Sequence, residues 1–196
     1  MNDGANDLAV MIETLGTFFR YSISHRGNIV TLEDELKNID NYILIQQFRF
    51  FNRFRLEKII DDYESIRDCK LPKLTLQPII ENAISHGLES KIADGIIIIR
   101  ITTTEQKLII HVEDNGVGIS LEKVDEINRM LSGKSDTFND NSKRGTGIAL
   151  SNVNSRIKLK YGNEYGIQLF SSVGNGTDVE IIIPIRQEDR EPNMLE

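Results

Sequence analysis

"HVEDNGVGIS", residues 111–120, decides how this chain folds. An alternating apolar run, Leu108-Ile109-Ile110-His111-Val112, stops there at an acid, an amide and two glycines. Two readings compete. Asn115-Gly116 after a strand is a strong hairpin signal, because both residue types tolerate positive φ. The alternative is a loop that holds something. These ten residues leave both open.

Outward from that stretch, "GIIIIRITTTEQKLIIHVEDNG" predicts two strands, 96–104 and 107–114, joined at Glu105-Gln106. Upstream, "FRLEKIID" from Phe54 alternates as a strand and "DCKLPKL" is a connector around Pro72. "TLQPIIENAISHGLE" (75–89) predicts a helix with Pro78 near its first turn and Gly87 as its stop. Downstream, residues 121–131 are helical, and "SGKSDTFNDNSKRGTG" (132–147) is a polar, glycine-rich stretch expected to be a mobile loop. "GIALSNVNSRIKLKYG" predicts a helix ending at Gly162, followed by the strands "GIQLFSS" and "TDVEIIIPI" joined through "VGNG". About five strands and three helices after residue 53 predict an α/β sandwich, one mixed sheet covered on one face by helices. The tail 187–196 is charged and expected to fray.

The first fifty residues have helical spacing instead. Leu8, Met11, Ile12, Leu15, Phe18, Phe19 and Ile23 form one stripe, which "SHRGN" (24–28) interrupts. Thr31-Leu32-Glu33-Asp34 has a capping-box pattern and starts a second helix running to about Phe51. The two make an α-helical hairpin, and the first stripe has no evident partner within the chain, which points to a second copy.

Composition narrows the function classes. With 39% hydrophobic and 27% charged residues, the 196-residue chain is an ordinary globular protein. A formal net charge of -7 without a basic stripe argues against a nucleic-acid partner. A single cysteine, Cys69, excludes an internal disulfide framework and suits a reducing compartment. No apolar run approaches the ~20 residues needed to span a bilayer, and "MNDGANDLAV" is not a signal peptide. The expected location is cytoplasmic, with any membrane attachment of a longer parent made through segments outside this sequence.

Several familiar motifs fail. An EF-hand loop from Asp114 needs oxygen ligands where Gly116 and Gly118 stand. A dinucleotide fingerprint at Gly145-Thr146-Gly147 lacks its last glycine, Leu150 standing there, and follows a loop. His25, His86, His111 and Cys69 do not have metal-ligand spacing.

"LQPIIENAISHG", "DNGVGI", "GTGIAL" and "GNGT", in that order, resemble the nucleotide-binding boxes of the ATPase superfamily shared by gyrase B, Hsp90, MutL and histidine kinases. "FFRYSIS", "VTLEDELKNIDNYILIQQFRF" and "SNVNSRIKLKYGNEYGIQLFSSVGNGTDVEIIIP" are similar to the cytoplasmic kinase region of LytS/YesM-type sensor histidine kinases, from about Met11 to Pro184. The resemblance implies a Bergerat-type ATP-binding fold. It also implies that Asp114 accepts a hydrogen bond from the adenine exocyclic amine, which selects against guanine. Gly116 and Gly118 would let the backbone approach the base, and Ile119 and Ile148 belong to the same two boxes.

By the same resemblance Asn82 ligates Mg2+ through its amide oxygen, and Glu81 orients a water or the incoming imidazole. His86 lies within reach of ribose or phosphate; a histidine at a helix C-terminus serves the dipole equally well. Gly145-Thr146-Gly147 opens a helix whose N–H groups can meet phosphates, with Lys143 and Arg144 adding charge or lying in a solvated loop. Thr177 would reach adenine through a water beside Asp114, and Asn152 would touch ribose or phosphate.

The activity implied is transfer of the ATP γ-phosphoryl to a histidine and onward to a response regulator, in a homodimeric parent. The family's acceptor stretch is absent, and His25 in "SHRGN" lacks its flanking motif, so normal autophosphorylation is not expected of this sequence. The expected division is a partial dimerisation and phosphoacceptor region over 1–52 and an ATP-binding domain over 53–186. Alternatives are a nucleotide-binding module without transfer activity, an anti-sigma-type serine kinase, or a hydrolytic ATPase. Against the last, Pro78 stands where such enzymes carry their general-base glutamate.

Overall fold

The computed structural model describes residues 3–24, 28–50, 53–88, 94–133 and 146–185. His25, Lys143, Arg144, Gly145, most of the expected 132–147 loop and the tail 187–196 lie outside these residues.

Helix α1 (Asp3–Ile23) leads through strand β1 (Ile29–Thr31) into α2 (Leu32–Arg49). The capping box at the start of α2 is formed: Asp34 N–H donates to Thr31 Oγ1 at 3.0 Å, and Thr31 N–H to Asp34 Oδ2 at 3.3 Å. Leu32, Leu36, Ile39, Tyr42 and Ile43 of α2 are buried in the same core as the sheet, so α2 is built into the α/β body. Helix α1 packs on α2 through Phe18, whose ring centroid lies 5.7 Å from that of Tyr42. The opposite face of α1 leaves Leu8, Ile12, Phe19 and Ile23 exposed.

After β2 (Phe54–Ile60), two short elements correct the expected plain connector. They are the turn-length helix α3 (Tyr63–Ile66) and strand β3 (Lys70–Pro72), which pairs antiparallel with β1, Ile29 facing Pro72 and Thr31 facing Lys70. Three residues are too few for alternation to register in a sequence. Helix α4 (Gln77–Asn82), with Pro78 in its first turn, continues as a π-helix over Ala83–Leu88. Gly87 is therefore inside the helical segment and not its stop.

Strands β4 (Gly95–Thr103) and β5 (Lys107–Asp114), helices α5 (Leu121–Leu131) and α6 (Thr146–Tyr161), and strands β6 (Gly166–Ser171) and β7 (Thr177–Pro184) complete the body. The five-stranded sheet has the order β2-β4-β5-β7-β6, with β2 parallel to β4 and the other pairs antiparallel. Alternation assigns its faces. Ile97, Ile99 and Ile101 with Leu108, Ile110 and Val112 point into the helical layer and are buried. Arg100, His111 and Glu113 lie on the other face, where His111 Nδ1 lies 3.1 Å from the Asp178 carboxylate. Burial pushes the Asp178 carboxyl up, and His111 pulls it partly back. This is the expected mixed sandwich.

One charge is fully enclosed. Glu35 of α2 accepts hydrogen bonds from the backbone N–H groups of Leu74 (2.7 Å), Thr75 (2.9 Å) and Leu76 (3.0 Å), and from the Tyr21 hydroxyl. Burial, then the Glu35 and Asp34 carboxylates, hold the Tyr21 phenol far above its ordinary value, near 10. The folded chain thus keeps the phenol protonated at pH values where the unfolded chain ionises it. The stability this provides is complete below about pH 10 and declines above it. Tyr21→Phe should flatten that decline when denaturant midpoints are compared from about pH 9 to 11; parallel curves would contradict the assignment.

Candidate functional site

Strand β5 delivers Asp114 to the edge of a cavity of about 240 Å³ between the sheet and the helical layer. The stretch beyond it is not a hairpin: the chain runs on into α5, and Asn115 keeps negative φ. Asn115 instead ties β5 to the start of β4, its Oδ1 accepting from Ile96 N–H at 2.9 Å and its Nδ2 donating to the Asp94 carbonyl at 3.0 Å. Asp114, Gly118 and Ile119 line the cavity.

The Asp114 carboxylate is held in place. Its Oδ1 accepts from Gly116 N–H at 2.7 Å, and a Cβ at Gly87 would lie 2.7 Å from the same oxygen. Gly116 does not line the cavity. A Cβ there would fall on the Gly87 backbone, so the close approach is between this loop and the π-helix. Val117 N–H then donates to the Gly87 carbonyl at 3.2 Å. Gly118 does line the cavity, at φ +68, where a side chain would strain the backbone and collide with the Ser172 carbonyl.

Thr177 faces Asp114 across the β5–β7 pair and also lines the cavity. Its hydroxyl lies 3.1 Å from Ser171 Oγ, which accepts from Ile119 N–H at 2.9 Å and donates to the Gly176 carbonyl at 2.6 Å. Ser171 thus fixes the loop to the strand, a role that a serine at a strand end does not announce in the sequence.

The α4–π-helix segment supplies Asn82 and His86 to the cavity. The Asn82 side-chain nitrogen is buried and has no hydrogen-bond partner among the described residues. Leaving a buried amide group unpaired costs about 1–3 kcal/mol, so the arrangement suits a side chain completed by a ligand. Glu81 is half-buried beside it and accepts from Gln77 Nε2 at 2.7 Å, while Gln77 Oε1 accepts from Asn38 Nδ2 at 2.9 Å. No group of three histidine, cysteine or acidic side chains that could hold a metal occurs among the described residues.

Thr146 opens α6, and Gly147 sits against Met130, whose Cε would be 2.8 Å from an added Cβ. Ile148 and Asn152 are exposed and lie outside the cavity lining, whereas Leu150 lines it. The lining also brings in residues with no motif to mark them: Lys123, whose ammonium pairs with Glu126 at 2.9 Å, and the apolar Ile79, Ile127, Leu169 and Val179. An apolar slot with one acid, one hydroxyl and one amide at its margin suits a flat heteroaromatic ring carrying a polar tail.

Residues 70–187 match the family described as Histidine kinase-, DNA gyrase B-, and HSP90-like ATPase, more than half of the chain. The chain belongs to this ATPase family. Residues 1–54 match a second family, described as Histidine kinase. This ATPase-family chain is 36% identical to the sensor histidine kinase YesM of Bacillus subtilis over 181 residues, 92% of the chain. It is 33% identical to the sensor protein LytS of Staphylococcus saprophyticus over 178 residues, 90% of the chain. It spans 28% of the length of each of these relatives. Among solved structures, the catalytic domain of histidine kinase ThkA aligns with TM-score 0.55 and 18% identity, covering 80% of this chain and 94% of that one. The histidine kinase domain of the Erythrobacter litoralis EL346 blue-light activated kinase aligns with TM-score 0.53 and 17% identity, covering 91% and 75%. At such identities these two structures speak for the ATPase fold alone. No helix among the described residues is long and apolar enough to cross a membrane.

Proposed function

We propose that this chain is the ATP-binding catalytic region of a two-component sensor histidine kinase. It binds Mg-ATP in the cavity beside Asp114 and directs the γ-phosphoryl to a histidine on the helical domain, for onward passage to a response regulator. The observation that carries the reading is the apolar cavity with Asp114 and Thr177 paired across β5 and β7 and the unsatisfied Asn82 amide on its wall.

Asp114 would accept the adenine exocyclic N–H, with Thr177 supporting it through a water. The unpaired Asn82 nitrogen would donate to a phosphate oxygen, and the amide oxygen of the same side chain would hold a cation that takes few protein ligands and keeps waters and phosphate oxygens for the rest. When bound, that cation would neutralise phosphate charge. Transfer of this kind depends on positioning and electrostatics: the acceptor imidazole nitrogen bonds to the γ-phosphorus as the bond to the bridging oxygen breaks and ADP leaves with the electron pair. Glu81, which accepts from Gln77, would orient the imidazole or a water. Lys123 and His86 line the cavity and would add positive charge beside the phosphates. In this reading residues 53–186 are the ATP-binding domain and 1–52 the trailing part of the dimerisation and phosphoacceptor region. The exposed Leu8, Ile12, Phe19 and Ile23 face of α1 meets a second copy in a homodimeric parent.

Incubation with γ-labelled Mg-ATP and a separately supplied acceptor domain from a YesM-like relative tests the proposal. The expected result is label on the acceptor histidine and none on His25. ATP binding without transfer would reduce the chain to a binding module.

A further inference from the structure

The turn between β3 and α4 is gripped from both sides. On its N–H side, the buried Glu35 carboxylate fills the concavity made by the successive amides of Leu74, Thr75 and Leu76, an anion-binding arrangement of backbone dipoles. On its C=O side, the half-buried Arg156 guanidinium of α6 donates to the Lys73 carbonyl and, at 2.7 Å, to the Leu74 carbonyl. Leu74 sits at φ +57, a left-handed conformation that a non-glycine residue adopts only at a cost in free energy. Such a conformation persists where its surroundings over-determine it.

The grip extends to α1. The Tyr21 hydroxyl donates to the same Glu35 oxygen that receives Leu74 N–H. The Lys73 ammonium lies 4.9 Å from the Tyr21 ring centroid and donates to the carbonyl (2.9 Å) and hydroxyl (3.0 Å) of Ser24, just past the end of α1. One turn of backbone is thereby held by α1, α2 and α6, and the next residues are α4 itself. Leu76 is the N-cap of α4, whose last residue is Asn82.

The geometry points to Glu35 and Arg156 as positioning residues that set where α4 holds Asn82 against the nucleotide, with Tyr21 making that placement depend on α1. This role rests on the Mg-ATP reading of the cavity. It gives the helical region a route that reaches the phosphate end of the site first: Asn82 closes α4, whereas Asp114 is carried by β5 and bonded to Gly116 N–H, and Gly87, which touches it, lies further along the same helical segment. A displacement of α1 then changes cation and phosphate binding more than it changes recognition of the base.

Titration calorimetry of the whole chain tests this with two ligands: a non-hydrolysable ATP analogue with and without Mg2+, and adenosine. In Glu35→Gln and Arg156→Lys, the affinity gained from Mg2+ should fall at least about fivefold, the loss expected when a charge-assisted hydrogen bond is degraded. Adenosine affinity should fall by clearly less than that. Tyr21→Phe, which removes only a hydroxyl and decides the matter if Glu35→Gln does not fold, should shift the gain in the same direction by less. A purely stabilising network would lower the melting temperature and leave the Mg2+ gain intact in all three variants. That result, or equal losses for adenosine and the triphosphate, overturns the inference alone. Absence of any Mg2+ gain in the wild-type chain overturns the cation reading and the inference with it.

Discussion

Asp114→Asn is expected to weaken adenine-nucleotide binding about 100-fold while the chain stays folded, since a buried donor would then face a donor. The substitution keeps an oxygen that can still accept from Gly116 N–H, now at 2.7 Å, so the loop has no reason to open. The partner lost is the acceptor for the adenine amine. A calorimetric titration with an ATP analogue, read beside a thermal melt, checks both halves. Unchanged affinity would remove Asp114 from recognition, and a collapsed melting temperature would make it a structural acid.

The second large effect concerns stability. Gly116→Ala should destabilise the chain by about 3 kcal/mol, because the new methyl meets backbone and not a side chain that can turn away. The atoms met are the carbonyl and Cα of Gly87 in the π-helix. For a chain of this size the melting temperature should drop by roughly 6–12 °C. Gly174→Ala is the comparison: it has positive φ, +86, but nothing within 4 Å of an added Cβ. Only backbone strain of about 1 kcal/mol applies there. Equal losses at the two positions in differential scanning calorimetry would show that crowding against Gly87 is not the cause.

These two glycines also show where the sequence is legible. The apolar runs at 96–99 and 108–112 marked β4 and β5 as strands, and the fold then sorts Ile97, Ile99, Ile101, Leu108, Ile110 and Val112 onto the buried face. The capping box at Thr31 was readable because its residues lie within one turn. Gly87, by contrast, has the sequence signature of a helix stop yet lies within a π-helix. What requires a glycine there is Asp114, 27 positions onward, and nothing local encodes that contact. Gly116 makes the same point, since a glycine needed for helix–loop packing and one needed for a ligand look alike in sequence.

At the site, the motif residues Asn82, His86, Asp114, Gly118, Ile119 and Thr177 converge on one cavity, although they are scattered over almost half of the chain. Its apolar walls were not legible. Leu150, Leu169 and Val179 carry no chemical label and become a pocket only when α6, β6 and β7 close over β5. Glu35 was hidden for a related reason: among the acids of the first turn of α2 it has an ordinary helical place. Only the fold takes it out of water and gives it Leu74, Thr75 and Leu76 to hold.

The central claim is that this cavity reads an adenine edge through one carboxylate. The most direct measurement is a paired titration of the wild-type chain with ATP and GTP analogues in the same Mg2+ buffer. Guanine presents a carbonyl oxygen where adenine presents its amine, so two acceptors would face each other. The account predicts saturable ATP-analogue binding, with the GTP analogue weaker by about 100-fold or more. Equal affinity for the two, or no binding of either, would contradict it.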